Sequence, residues 1–280
     1  MLKKSLYLLI CITMIVLFCA CSTSGGNEGA DQKAYTDVTV FEGIKYSKIG
    51  GELWLVGYEK DLPKNLTLSI PENVGGVPVV GIEKNALRGL SQLTELYVPG
   101  SVSVIRGGAF AECKNLNKVT LSEGIHTLEG EVFMKCASLK SIAIPTTVTV
   151  VRGNAFQDCA SLENVSLHDG ITEIHAYAFQ NCASLTHIVL PSGITEIRAN
   201  TFENCIRLRS ISIPAGVWRI AAHAFRGCNA LSNVAAPDSL REIGSSAFRE
   251  CKSLKSISLP RNVSVDERAF KNSPTKISYR

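Results

Sequence analysis

Leu185 to Arg207 reads LTHIVLPSGITEIRANTFENCIR, and the spacing of its apolar residues decides the fold. Leu185, Ile188 and Leu190 give an L-x-x-I-x-L segment that alternates and favours β-branched residues, which predicts a short strand. Pro191 follows; having no N–H, it ends a strand ladder and turns the chain. Ile194-Thr195-Glu196-Ile197 then forms a second short extended run with another inward pair. From Phe202 through Cys205 to Leu208, the first residue of the next coil, apolar residues stand at i, i+3 and i+6. That spacing predicts a 3₁₀ or short α turn.

Outward from this stretch the pattern repeats. Phe110, Phe133, Phe156, Phe179, Phe202, Phe225 and Phe248 stand 23 residues apart, Phe270 follows after 22, and Leu87 fills the same slot one coil earlier. Cys113, Cys136, Cys159, Cys182, Cys205, Cys228 and Cys251 come three residues after the phenylalanines, with Leu90 and Ser273 in the terminal coils. Leucines from Leu116 to Leu254 follow three residues later. Proline closes the first strand segment at Pro99, Pro145, Pro191, Pro214, Pro237 and Pro260. A unit this short buries its apolar face only against its neighbours, which is the logic of a solenoid. About nine coils at roughly 4.8 Å each would stack to roughly 43 Å. Each buried phenylalanine contributes about 1.5–3 kcal/mol, so the phenylalanine column is a main stabiliser.

This coil resembles the BspA-like, Treponema-type class of bacterial leucine-rich repeats, whose pattern ends in the same A-F-x-x-C. The resemblance covers about residues 66–273. It implies an α/β-type leucine-rich-repeat solenoid, with short parallel strands in each coil joined by 3₁₀ or short helical turns. Val40 to Tyr58 resembles the hairpin that precedes such arrays, with Ile49-Gly50-Gly51 as its turn. Residues 38–65 are therefore expected to cap a solenoid running over 66–280. Its first coil is lengthened around Pro71–Pro78, and its last is shortened, with Ile277-Ser278-Tyr279 as a final strand.

The first twenty residues read as an address. Lys3 and Lys4 precede a nearly unbroken apolar run from Leu6 to Ala20, too short for an ordinary membrane span. Leu17-Phe18-Cys19-Ala20-Cys21 resembles a relaxed bacterial lipobox, with leucine four rather than three positions before the cysteine. The resemblance implies a signal peptide over 1–20, Cys21 as an acylated N-terminus and residues 21–37 as a flexible tether. The protein is then exported and lipid-anchored to the bacterial envelope, with the outer membrane expected and the leaflet left open. A plain secretory peptide, leaving Cys21 as a thiol, is the alternative.

Composition narrows the function classes. Of the residues, 45% are apolar and 19% charged, and the formal charge is +4. Removing Lys3 and Lys4 leaves 27 basic against 25 acidic residues, so no nucleic-acid field is expected. Ten cysteines raise the question of metal or disulfide chemistry. Zinc sites use local C-x-x-C pairs, which the array lacks, and seven thiols in one column have no natural pairing. They read as small buried hydrophobes packed under the phenylalanines. His126, His168, His175, His187 and His223 occupy five different repeat positions, so no histidine ladder or metal site is expected. Glu173, Glu196, Arg219 and Glu242 share one column. Glu173 and Glu196 at about 5 Å could imitate the carboxyl pair of a retaining glycosidase. A solvated charge ladder is the simpler reading. No catalytic residue and no cofactor are assigned, and the chain is read as a non-enzyme.

Function is then expected on the surface. The fifth coil position points outward and carries Tyr97, Thr120, Ala143, Ser166, Val189, Ser212, Ala235 and Ser258, a flat column of mainly small residues. Trp218 stands in a column otherwise of Ser, His, Thr and Arg, with Arg209, Arg219 and Arg241 in the same or the adjoining coil. Tryptophan and arginine dominate binding hot spots, so these residues with Tyr97 form the candidate binding surface. A tryptophan packed flat on its neighbouring coils, with solvated arginines nearby, is the competing reading. The family resemblance implies a host cell-surface or extracellular-matrix protein, such as fibronectin, as partner, and the lipid implies the membrane. A periplasm-facing scaffold for envelope partners and a glycan-active repeat protein are the alternatives, and oligomeric state is left open.

Overall fold

Alternating burial turns the first segment of most coils into a strand. In Ser141–Ala143, Asn164–Ser166 and Asn233–Ala235 the middle residue is buried and its neighbours are exposed. The computed structural model describes residues 35 and 37–280, so the signal segment and Cys21 lie outside the described residues. The chain winds as a β-solenoid of about ten turns with two faces of short parallel strands, each face a series of separate ladders. One contains Leu66–Ser69, Leu93–Val98, Lys118–Leu121, Ser141–Ala143 and Asn164–Ser166 in order. It resumes at Ser210–Ser212 paired with Asn233–Ala235, and at Ser256–Leu259 paired with Lys276–Tyr279. The other uses two-residue strands such as Val104–Ile105, Val150–Val151 and Arg219–Ile220. Register advances by one coil length, as in Ser141↔Asn164 and Glu196↔Arg219↔Glu242. Proline carbonyls accept the N–H three residues on, from Val102, Val148, Val217 and Leu240 among others, which fixes the corner between the sheets.

At the N-terminal end β1 (Val38–Phe41), β2 (Ile44–Ile49) and β3 (Glu52–Tyr58) form an antiparallel meander, and β2 turns into β3 at Gly50-Gly51. β3 pairs parallel with the Val77–Ile82 strand, so it already occupies the place of a coil strand. This accounts for about ten turns where the repeat count predicts nine. The lengthened first coil holds a small hairpin, Asn73–Val74 against Val77–Pro78. Its turn residues Gly75 and Gly76 both take positive φ, which glycine adopts without steric cost.

The expected 3₁₀ or short helical turns are not there. Between Phe179 and Leu185 four N–H groups bond within the coil: Gln180 to Tyr177, Cys182 to Phe179, Ala183 to Asn181 and Leu185 to Cys182. The N–H groups of Phe179 and Asn181 bond instead to the carbonyls of Thr201 and Glu203 in the next coil. Tyr177 and Asn181, two residues either side of Phe179, have φ of 63° and 60°. The same two positions are left-handed at Asn154 and Asp158, at Asn200 and Asn204, and at Ser246 and Glu250. A left-handed residue every fourth position breaks a helix, and the donors it frees cross-link the stack. A second departure falls in the coil quoted first. Thr186–Leu190 keeps alternating burial but joins no ladder; Arg209 N–H to Thr186 O is its one backbone bond to a neighbouring coil among the described residues.

The core is a set of columns. Seven phenylalanines from Phe110 to Phe248 are at most 2% exposed, and Phe270 ends the column half-buried. Neighbouring rings stack at 5.2–5.8 Å with planes within 9° of parallel. Spacing above the strand repeat means that the rings are offset, the arrangement their quadrupoles favour. The cysteines are buried free thiols and do more than fill space. Cys205 Sγ donates to the Phe179 carbonyl of the preceding coil at 3.2 Å, and that carbonyl also accepts the Cys182 N–H. Six of the seven thiols repeat this bond to a phenylalanine carbonyl, and Cys113 makes it to Leu87. In the last coil the Ser273 hydroxyl replaces the thiol, donating to Phe248 O at 2.6 Å. Burial pushes the thiols of Cys159 and Cys205 up to about 12 and holds Cys182 well above its usual value, so none is a thiolate at neutral pH.

Candidate binding surface

The strand alternation that buries the fourth and sixth coil positions exposes the third and fifth. Tyr97 is 42% exposed, and its hydroxyl meets Ser122 Oγ at 3.2 Å. Thr120, Ala143, Ser166, Val189, Ser212, Ala235 and Ser258 are exposed in the same column. Val189, at 67% exposure, lies over the interrupted ladder, beside a shallow cleft of about 370 Å³ that also touches His187, Ser212 and Pro214.

Trp218 is 45% exposed, and its carbonyl accepts the Arg241 N–H at 2.7 Å, so Arg241 stands directly above it in the next coil. Arg219 is spent elsewhere. It donates to Glu196 at 3.0 Å and to Glu242 at 3.0 Å. Arg209 is exposed at the entry to the first-sheet segment, whereas Trp218 follows the corner that leaves it, so the width of that face separates them. Tyr97 lies five coils toward the N-terminus. The candidate set thus resolves into one adjacent pair, Trp218 with Arg241, and three residues located apart from it or already engaged.

The carboxyl column is a ladder of charges. Glu173 accepts from Arg198 at 2.7 Å and from His175 at 3.0 Å, while Glu196 accepts from Arg219. These side chains are about a quarter to a half exposed, so each pair is worth about 0–1 kcal/mol. With guanidinium groups on both carboxylates, the pair presents ion pairs rather than an acid and a base. Near the N-terminal cap a tighter group forms. Buried Glu83 accepts twice from Arg106, at 2.8 and 3.0 Å, and Arg106 lies 4.6 Å over the Trp54 ring. Burial, followed by the Glu83 charge, raises the Tyr35 pKa, and the Tyr35 hydroxyl bonds to that carboxylate. No cluster of metal-ligating side chains occurs, and no helix is long and apolar enough to cross a membrane, among the described residues.

One arrangement escaped the sequence reading. At the eighth coil position Glu123 accepts from Thr146 and Asp169 from Ser192, one coil on, and these bonds hold both carboxyls below their usual range. Asp238 occupies the same position but is gripped by Arg280, 42 residues away, at 3.0 and 3.1 Å. Reading the eighth column alone would have flagged Asp238 and Arg261, but nothing in the period brings in Arg280.

Comparisons with known proteins agree with this architecture. A leucine-rich repeat protein from Bacteroides ovatus is 24% identical, with a TM-score of 0.75 over 86% of this chain and 70% of its own. A leucine-rich repeat protein of Treponema pallidum is 26% identical, with a TM-score of 0.54 over 78% of this chain and 91% of its own. A leucine rich cell surface protein from Faecalibacterium prausnitzii is 22% identical, with a TM-score of 0.51, covering 84% and 86% of the two chains. No curated protein matches. The BspA type leucine rich repeat region, in six copies, matches residues 80–209 and 195–278, which is most of the chain. The chain therefore belongs to the BspA-type leucine-rich-repeat family.

Proposed function

We propose that this is an exported, lipid-anchored protein that binds other proteins through the exposed columns of its solenoid, at host cells or extracellular-matrix proteins such as fibronectin. The observation that carries the reading is the rigid stack itself. Backbone bonds between coils and an unbroken core hold Trp218, Arg241 and the fifth-position column other than Val189 in place before any partner arrives. Such preorganisation lowers the ordering cost of association. Membership of a repeat family suited to protein binding supports the same reading. The mechanism is contact alone: aromatic and guanidinium groups bury against a partner, and no covalent step takes place.

Cys21, as the acylated residue, would hold the solenoid at the membrane through the tether over 21–37. Protease or antibody treatment of intact cells tests the orientation. Digestion of the solenoid in intact cells is expected. Full protection until the envelope is opened would refute host adhesion and favour a periplasm-facing scaffold.

A further inference from the structure

We propose that the corner formed by Asp238, Arg241, Arg261 and Arg280 is a docking cleft for an acidic peptide segment of a protein partner. These residues, with Pro260 and Asn262, line a cleft of about 360 Å³. Three guanidiniums share it with one carboxylate, in a chain whose charges are otherwise nearly balanced. Unlike Glu123 and Asp169, Asp238 caps no N–H in the following coil. Its side chain is 87% exposed, and Arg280 holds it through Nε and Nη2. Arg280 is itself fixed by the carbonyls of Ser258 and Ala236, both at 2.6 Å. Arg241 is pinned by the carbonyls of Asp238 and Leu240, at 2.6 and 3.0 Å. Carbonyl partners orient a guanidinium without neutralising it. The Arg261 side chain is exposed and has no hydrogen bond or ion pair among the described residues.

Asp238 shows what this corner accepts: a carboxylate held by an oriented fork. Arg241 and Arg261 remain to take further carboxylates, and Trp218 below Arg241 offers an aromatic surface beside them. A run of Asp and Glu side chains supplies repeated carboxylates of this kind, and complementary charge speeds and orients such encounters. The inference rests on the protein-binding reading above and adds the place and the charge of the partner.

Fluorescein-labelled hexaglutamate, titrated against the full chain in mild detergent at low salt, is the probe. Binding is expected, with hexalysine not binding and 0.5 M salt weakening the complex. The double variant Arg241→Ala/Arg261→Ala should bind roughly tenfold or more weakly, while Arg207→Ala, an exposed arginine elsewhere, should bind as wild type. Arg261→Glu, which disturbs no contact, should lose binding with an unchanged melting curve. Equal binding by wild type and the double variant would overturn the cleft, as would no binding at all. A heparin oligosaccharide that binds where hexaglutamate does not would overturn it in favour of an anionic glycan. A matrix protein that binds the double variant as tightly as wild type refutes the cleft and leaves the protein-binding reading standing. Hexaglutamate binding with no protein partner does the reverse.

Discussion

Replacing Phe179 by alanine tests the energetic logic of the stack. The ring is fully buried and stacks on Phe156 and Phe202, both at 5.5 Å. Its removal leaves a cavity walled by two flat rings and the backbone of neighbouring coils. Inter-coil bonds on either side, such as Phe179 N–H to Thr201 O, keep the coils from collapsing into it. The expected loss is about 3–5 kcal/mol, a large share of a domain's total of about 5–15. Phe270 offers an internal control, because it is half-buried and stacks on one neighbour only, at 5.2 Å. Phe270→Ala should cost about 1–2 kcal/mol, since less area and a single interface are lost. Urea unfolding followed by circular dichroism gives both values, fitted as two transitions where the two halves separate. Trp54 and Trp218 lie on opposite sides of Phe179, so Trp218→Phe in the Phe179→Ala background isolates the N-terminal probe. A solenoid weakened at its middle should then show fluorescence and dichroism midpoints that no longer coincide. A loss below about 1.5 kcal/mol at Phe179, or an equal loss at Phe270, would refute the column as a main stabiliser.

Other expectations follow from the same columns. Cys205→Ser should cost less than Cys205→Ala, because serine keeps the bond to Phe179 O, as Ser273 does to Phe248 O; equal unfolding midpoints would remove the thiol bond from the account. The seven thiols should resist iodoacetamide in the folded protein at pH 8 and react once it is unfolded. Because folding raises each thiol above its ordinary value of 9.0, the unfolded chain loses protons first as the pH climbs. Stability should be intact below about pH 9 and fall between 9 and 12, seen as a dropping melting temperature. Asn204, at φ 58°, should tolerate glycine within a few tenths of a kcal/mol but lose about 1–2 kcal/mol as valine, by thermal melts.

The period, the two sheets and the phenylalanine and cysteine columns were legible because each slot holds one residue type. Phe110 and Phe248 stand 138 residues apart in the chain yet occupy the same place in the coil. The turn side was misread for the opposite reason. Its left-handed positions hold Asn85, Asn154 and Asn200, which favour that region, but also Glu131, Tyr177, His223 and Ser246, so one backbone shape is carried by mixed chemistry. Apolar spacing of i, i+3 and i+6 fits a helix as well as a chain of turns, and only the bonds between coils separate the two. The extra turn was hidden because β3 joins the coil strands through pairing rather than through the repeat pattern. Trp218 was recognisable as the odd residue in a polar column. The arginine corner was not, since Arg280 reaches Asp238 across two coils from beyond the last full repeat.

The most direct test of the account is the binding of fibronectin and other matrix proteins to the immobilised full chain, followed by biolayer interferometry. Saturable binding that falls on Trp218→Ala, with the melting temperature unchanged, is the predicted result. A folded chain with no saturable binding to any matrix or host-surface protein would contradict it.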